Sequence, residues 1–328
     1  MLLPARNAQT TLAAALGSVL AQSFSDFELV VVDDGSTDET PALLRGFAGR
    51  DSRLRIVTTP GLGIVGALER GRAACRAPFV ARFDADDLMH LSRLAAQVSL
   101  LDAREDLAGV GSLVRVFPRR TMKDGLRRYE DWQNALLTPE DIARERFVEA
   151  PLVHPSMTLR RSCLEELGGF REVPWPEDWD LWLRALERGH RFAKVACVLH
   201  FWRDGPSRLT RTDPRYSAAA LSLARAHFLA RGPLRDRPAI VWGAGPVGKA
   251  LAKALGAEGA SVLALVDLDP RKIGQSVHRV PVVAPSALPI DRTAVLLAAV
   301  GAAGGRESIR SVARAFGYCE GTDFFACA

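Results

Sequence analysis

Short apolar runs alternate with amphipathic stretches along most of the chain. Glu28 to Val32 (ELVVV) is dense in β-branched residues and reads as a buried strand. Ser36 and Glu39 have the spacing of a capping box, which predicts a helix starting there. Leu54 to Thr58 predicts a second strand, Gly66 to Cys75 a helix, and Phe79 to Phe83 a strand ending on Asp84. This β-α-β-α order predicts a parallel sheet covered by helices. A helix over Thr10 to Gln22 precedes it, with only Met1, Leu2 and Leu3 ahead of Pro4. A sheet of this type opens on a full strand, so the first strand reads as clipped.

Residues 119–151 are charged and show no clear period. A helix is expected from Asp178, with Leu181, Trp182, Ala185 and Leu186 on one face, and a longer one over Tyr216 to Ala230. Gly232 to Pro238 (GPLRDRP) reads as a linker. The pattern then restarts. Ala239 to Trp242, Ser261 to Val266 and Ala294 to Val300 are expected strands, with helices over Lys249 to Leu255 and Ser308 to Phe316. The expected organisation is a domain over 1–231, a linker over 232–238 and a smaller α/β domain over 239–328.

Composition narrows the class. Of 328 residues, 48% are hydrophobic and 25% charged, which excludes a disordered chain. The net charge is +5, and only five of the 43 basic residues are lysine. A GC-rich codon bias is the main reading of that arginine excess; an affinity for anions, from nucleotides to membrane surfaces, is the functional one. No basic block is long enough to argue for nucleic acid. Cys75, Cys163, Cys197, Cys319 and Cys327 are odd in number and widely spaced, which fits reduced thiols in the cytoplasm and no zinc site. The N-terminus does not read as a signal peptide, and the longest apolar run, Ala294 to Ala303, is too short to span a bilayer. Peripheral contact with the inner face of a membrane stays open.

Two acidic clusters fall at expected strand ends: Asp33-Asp34 and Asp84-Ala85-Asp86-Asp87. In such sheets the carboxyl ends of the strands carry the active site. Like charges held together repel, and a divalent ion bridging them to a substrate diphosphate resolves the conflict. A DxD directly after an apolar strand therefore points to a metal–diphosphate site.

VVVDDGSTDET (Val30 to Thr40), ARFDADD (Ala81 to Asp87) and PEDWDLWLRAL (Pro176 to Leu186) resemble the three signatures of the family 2 glycosyltransferases, and Pro4 to Gln22 resembles the family's opening segment. The resemblance covers about Met1 to Arg231. It implies a GT-A fold, mostly parallel with helices on both faces, and an inverting transfer from a nucleotide-sugar donor to a glycan or lipid-linked acceptor. It further implies that Pro4, Ala5, Asp33, Asp34 and Asp84 bind the donor nucleotide. Asp86 would hold Mn²⁺ or Mg²⁺, and Asp178 would be the general base. Glu177 and Asp180 compete with Asp178. Asp34, Ser36 and Asp178 could instead be helix caps. His154 is a candidate at the acceptor side, and Trp175, flanked by two prolines, a candidate to stack on an acceptor sugar. The family's late metal-binding histidine has no clear counterpart; His200 or Asp204 stands nearest in HFWRD.

Gly243-Ala-Gly245-Pro-Val-Gly248 is a GxGxxG between an expected strand and helix, and Asp267 ends the next strand. The pattern fits a nucleotide at a helix N-terminus with an acid for its ribose. Val266 to Pro285 resembles the small Rossmann-like domain of sugar acyltransferases, which implies a nucleotide-linked sugar site or a docking module. A retained fold with an empty pocket gives the same sequence. Two other classes remain: an NAD(P)-dependent sugar oxidoreductase or epimerase acting through this domain, and a noncatalytic nucleotide-sugar-binding protein.

Overall fold

The computed structural model describes residues 1–328 except positions 207, 289–291 and 303. The last residue of the apolar run from Ala294 therefore lies outside the described residues. Contacts divide the chain into two units. The first comprises Met1–Ile142, Pro151–Glu172 and Arg184–Arg208, and the second Ala143–Ala150, Val173–Leu183 and Leu209–Ala328.

In the first unit, β1 (Leu2–Ala5), β2 (Leu29–Asp34) and β3 (Leu54–Thr59) form a parallel sheet in that order. Helices α1 (Leu12–Leu20), α2 (Thr40–Ala48) and α3 (Gly63–Ala74) alternate with these strands. β2 is buried along its whole length, as a strand covered on both faces must be. The short opening segment still makes a strand, with Leu2 to Ala5 in register with Val30 to Asp33. Leu12, Ala15, Leu16 and Val19 recur at helical spacing on α1 and join Leu3, Val31 and Phe83 in one core cluster.

A second, mixed sheet has the order β4-β7-β6-β8-β5, with β4 (Phe79–Ala81), β5 (Leu88–Met89), β6 (Leu107–Phe117), β7 (Thr158–Arg160) and β8 (Arg191–Arg203). β6 and β8 run parallel, whereas the other pairs are antiparallel. A parallel bridge between Leu2 and Arg82 joins the two sheets. It brings the carboxyl ends of β1, β2 and β4 to one edge.

Helices α4 (Arg93–Ala103), α5 (Asp124–Ala135), α6 (Pro139–Arg144), α7 (Arg161–Glu166) and α8 (Glu177–Glu187) complete this part of the chain. Two local expectations are corrected. Residues 119–151 are largely helical rather than irregular. Their signal is weak because α5 buries Glu130 and Gln133 instead of an apolar stripe. The helix expected at Ser36 begins at Thr40, because the Ser36 hydroxyl accepts the Asn7 amide at 2.9 Å while Asp38 accepts the Thr40 amide at 2.9 Å.

The second unit contains α9 (Leu209–Thr212), α10 (Ala218–Arg231), α11 (Pro246–Ala257) and α12 (Gly305–Ala315). Its sheet has the order β11-β12-β10-β9-β13-β14. The strands are β9 (Ala239–Trp242), β10 (Val262–Val266), β11 (Ser276–Val277), β12 (Val280–Val283), β13 (Val295–Ala298) and β14 (Phe324–Ala326). All neighbours are parallel except β11 with β12. The chain goes from β9 to β10 on one side and later returns to β13 on the other, so the strand order reverses at β9.

Candidate active site

The sheet edge of the first unit collects both acidic clusters singled out in the sequence. Pro4 and Ala5 end β1, opposite Val32 and Asp33. Asp33 and Asp34 end β2, both buried. Asp33 accepts the Ser36 amide at 3.2 Å. Three neighbours donate to the Asp34 carboxylate: the Thr59 hydroxyl at 2.6 Å, the Leu62 amide at 2.6 Å and the Gly63 amide at 2.8 Å. It therefore caps α3, across the sheet, rather than the helix that follows it in sequence.

The DxD turn lies beside β1, where the Thr11 hydroxyl donates to the Ala85 carbonyl at 3.0 Å. Asp84, Asp86 and Asp87 each present a carboxylate oxygen, all within 4.8 Å of one another. Among the described residues they are the one such group of three or more acidic, histidine or cysteine ligands. Burial, with Asp84 and Asp87 adding repulsion, pushes Asp86 up to about 7. Asp87 is held well above the usual carboxylate range, chiefly by burial and then by Asp84. Crowded carboxylates of this kind fit a hard divalent cation, which takes oxygen ligands and removes the repulsion. Arg82 pairs with Asp84 at 2.6 Å and Arg203 donates from Nε to the Asp86 carbonyl at 2.7 Å.

His200 is fully buried on β8. Its Nε2 lies 2.9 Å from Asp87 and its Nδ1 3.2 Å from the Arg93 guanidinium. Both ring nitrogens are thus engaged, one of them with Asp87. Burial, reinforced by Arg93, keeps the ring neutral. His154 is also buried and neutral, its ring 5.2 Å from that of Phe170.

A family model described as "Glycosyl transferase family 2" matches residues 1–168. The chain belongs to glycosyltransferase family 2. It is an enzyme that transfers a glycosyl group from a nucleotide-sugar donor, on a GT-A fold. Among similar proteins, "Amylovoran biosynthesis glycosyltransferase AmsE" of Erwinia amylovora is 28% identical over 200 residues, covering 60% of this chain and 71% of AmsE. The WfgD enzyme of Escherichia coli, a UDP-Glc:alpha-D-GlcNAc-diphosphoundecaprenol beta-1,3-glucosyltransferase, is 32% identical over 102 residues, covering 31% of this chain and 40% of WfgD. Staphylococcus aureus TarS 1–349, solved with UDP-GlcNAc, shares the fold at a TM-score of 0.58 and 17% identity, over 77% of this chain and 70% of that one.

The PEDWD segment that holds Asp178 lies in the second unit, at the start of α8. Its three acids differ in environment. Glu177 is buried and accepts the Tyr216 hydroxyl at 3.4 Å. Asp180 is buried and accepts Trp175 Nε1 at 3.2 Å. Asp178 is partly exposed, with one oxygen on the Trp179 amide at 2.7 Å. Trp175 is 7% exposed and packs on His227 and Phe228. Most of the ring is covered by that packing.

In the same unit, Gly243 has φ 126°, and a side chain there would meet the Ala299 carbonyl at 2.6 Å. A side chain at Gly248 would collide with the Gly243 carbonyl, whereas Gly245 faces open space. Asp267 accepts the Ala244 amide at 3.0 Å and Lys272 Nζ at 2.9 Å, so it ties the glycine turn to the next strand.

Sequence reasoning about this transferase missed Arg82 and Arg93. Their signal is faint: one buried arginine in an apolar strand run (FVARF), another inside a helix in an arginine-rich chain. Among the described residues, no helix is long and apolar enough to cross a membrane.

Proposed function

We propose that this chain attaches a sugar to a growing or lipid-linked glycan during polysaccharide synthesis, by a single metal-assisted displacement that inverts the anomeric centre. The observation that carries the reading is the convergence of Asp84, Asp86 and Asp87 at a sheet edge, their oxygens within 4.8 Å. Asp86 and Asp84 would hold Mn²⁺ or Mg²⁺, with Pro4, Ala5, Asp33 and Asp34 at the adjoining strand ends toward the nucleotide. A divalent ion bound there offsets the charge that grows on the leaving diphosphate. Asp178 accepts the proton of the acceptor hydroxyl as its oxygen attacks the anomeric carbon and the bond to the diphosphate breaks. Its exposure, beside the buried and hydrogen-bonded Glu177 and Asp180, supports that choice. The relatives named for amylovoran synthesis and for a diphosphoundecaprenol-linked acceptor support the acceptor class. Such an acceptor would place the enzyme at the inner face of the membrane.

For the second unit we propose a nucleotide at the Gly243–Gly248 turn. The turn lies where the strand order reverses, Gly245 is open, and the sheet resembles a Rossmann-like unit.

A thermal-shift screen of nucleotide sugars with and without Mn²⁺ tests the main reading, since a ligand raises stability with the logarithm of its concentration over its dissociation constant. The expected result is a metal-dependent shift by one donor, lost in Asp86→Ala. A shift indifferent to both metal and Asp86 overturns it.

A further inference from the structure

Arg93 starts α4 and is completely buried. Burial lowers its guanidinium only to about 9, so it is a cation at neutral pH. Yet no carboxylate of a described residue pairs with it directly. Its donors go to Gln97 Oε1 at 3.2 Å, the Arg82 carbonyl at 2.9 Å and His200 Nδ1 at 3.2 Å. A buried cation without a direct counter-charge is costly, and this one reaches an acidic side chain, Asp87, one step further on, through the imidazole.

The imidazole is set by that contact. Arginine can only donate, so Nδ1 must accept. The single ring proton then sits on Nε2 and is donated to Asp87 Oδ2 at 2.9 Å. The edge of Phe83 packs against the ring, with centroids 5.8 Å apart. The other Asp87 oxygen takes the Arg203 amide at 2.7 Å, and Arg203 Nε returns to the Asp86 carbonyl at 2.7 Å. Asp87 is thus the point at which the acidic turn is pinned to the end of β8. β5 reinforces the attachment through the Met89–His200 register.

We infer that Arg93 and His200 are positioning residues: they fix the proton on the His200 face toward Asp87, and through Asp87 hold Asp84 and Asp86 in the shape that takes the metal. The inference rests on the proposed metal site. It assigns His200 a place behind a carboxylate instead of on the ion. Outer partners that orient metal-binding carboxylates typically change affinity by about 10–100-fold when removed.

The test uses Mn²⁺ alone, with free ion counted by electron paramagnetic resonance, on the wild type, Asp86→Ala, His200→Asn and His200→Gln. Glutamine can place its amide N–H near the Nε2 position, whereas asparagine is too short to reach Asp87. Expected is a loss of Mn²⁺ affinity of about tenfold or more in His200→Asn and recovery to within about threefold in His200→Gln, with cooperative melting retained. Equal affinity in His200→Asn and wild type, or equal loss in both variants, overturns the positioning role while leaving the metal site standing. Wild-type protein that binds no Mn²⁺, or binds it undiminished in Asp86→Ala, overturns the metal reading and the inference with it. A second measurement needs no substitution. Nitrogen-15 spectra of the histidines should show His200 as the Nε2–H tautomer, with a resonance that moves on adding Mg²⁺. An Nδ1–H tautomer, or a resonance unmoved at saturating Mg²⁺, overturns the inference.

Discussion

Trp175 donates its indole N–H to the Asp180 carboxylate at 3.2 Å, both side chains buried. That bond uses one of the three acids of the PEDWD signature in packing and leaves Asp178 as the partly exposed one. Asp178→Asn should therefore lower transfer by about 10²–10⁴-fold, the usual contribution of a positioned base. Donor-dependent thermal shift should be unchanged. Asp180→Ala should behave differently, costing about 1–3 kcal/mol in urea unfolding because a buried indole N–H loses its acceptor.

Asp86→Asn should remove the metal dependence of donor binding with little effect on the fold. The wild-type carboxylate is crowded by Asp84 and Asp87, so its neutral isostere relieves repulsion in the metal-free protein. The expected outcome is a metal-free melting temperature at or above wild type at pH 8, and no further rise on adding Mn²⁺. A melting temperature that still rises with Mn²⁺ would place the ion elsewhere.

Lys194 on β8 is buried, and its ammonium donates to the Gln133 backbone at 2.5 Å and side chain at 2.9 Å. Burial pulls its pKa down to about 7. The unfolded chain therefore holds more protons than the folded one between about pH 7 and the ordinary lysine value. With that sign, stability gains from this group as pH rises through the window, by at most roughly 1.4 kcal/mol per pH unit. Lys194→Met should flatten that part of the stability–pH curve, measured by urea unfolding at pH 7, 8 and 9. A parallel curve for the variant would refute the lysine as its source.

Gly248→Ala and Gly245→Ala separate folding from ligand binding in the second unit. A methyl at Gly248 would collide with the Gly243 carbonyl, so it should cost about 3 kcal/mol or more and lower the yield of folded protein. A methyl at Gly245 meets nothing within 4 Å. Gly245→Ala should keep the melting temperature while weakening any nucleotide that stabilises this unit, measured by calorimetric titration.

The strands around Leu29–Asp34, Leu54–Thr59 and Ala239–Trp242 were legible because each is a short run rich in β-branched and other apolar residues. α5 and β8 were not. α5 turns Glu130 and Gln133 inward, and β8 carries Lys194, His200 and Arg203, so neither shows the apolar period of its element. The DxD was legible for the same reason as its strand: Asp84 follows an apolar run directly. The state of each acid was not. Asp34 reads as the cap of the next helix but caps the one after it, since its partner Gly63 lies 29 positions away.

By itself the sequence determined the strands that are compact apolar runs, the family resemblance, and the acidic clusters at the strand ends, because apolar period and local motifs are written within a few residues. Only the tertiary structure decided which of those acids are buried, which are partly exposed, and that a buried arginine and histidine stand behind Asp87. His200 meets Asp87 across 113 positions of chain. Contacts of that span are set by which strands become neighbours in the sheet, and hydrogen-bond partners chosen that way leave no spacing rule in the sequence.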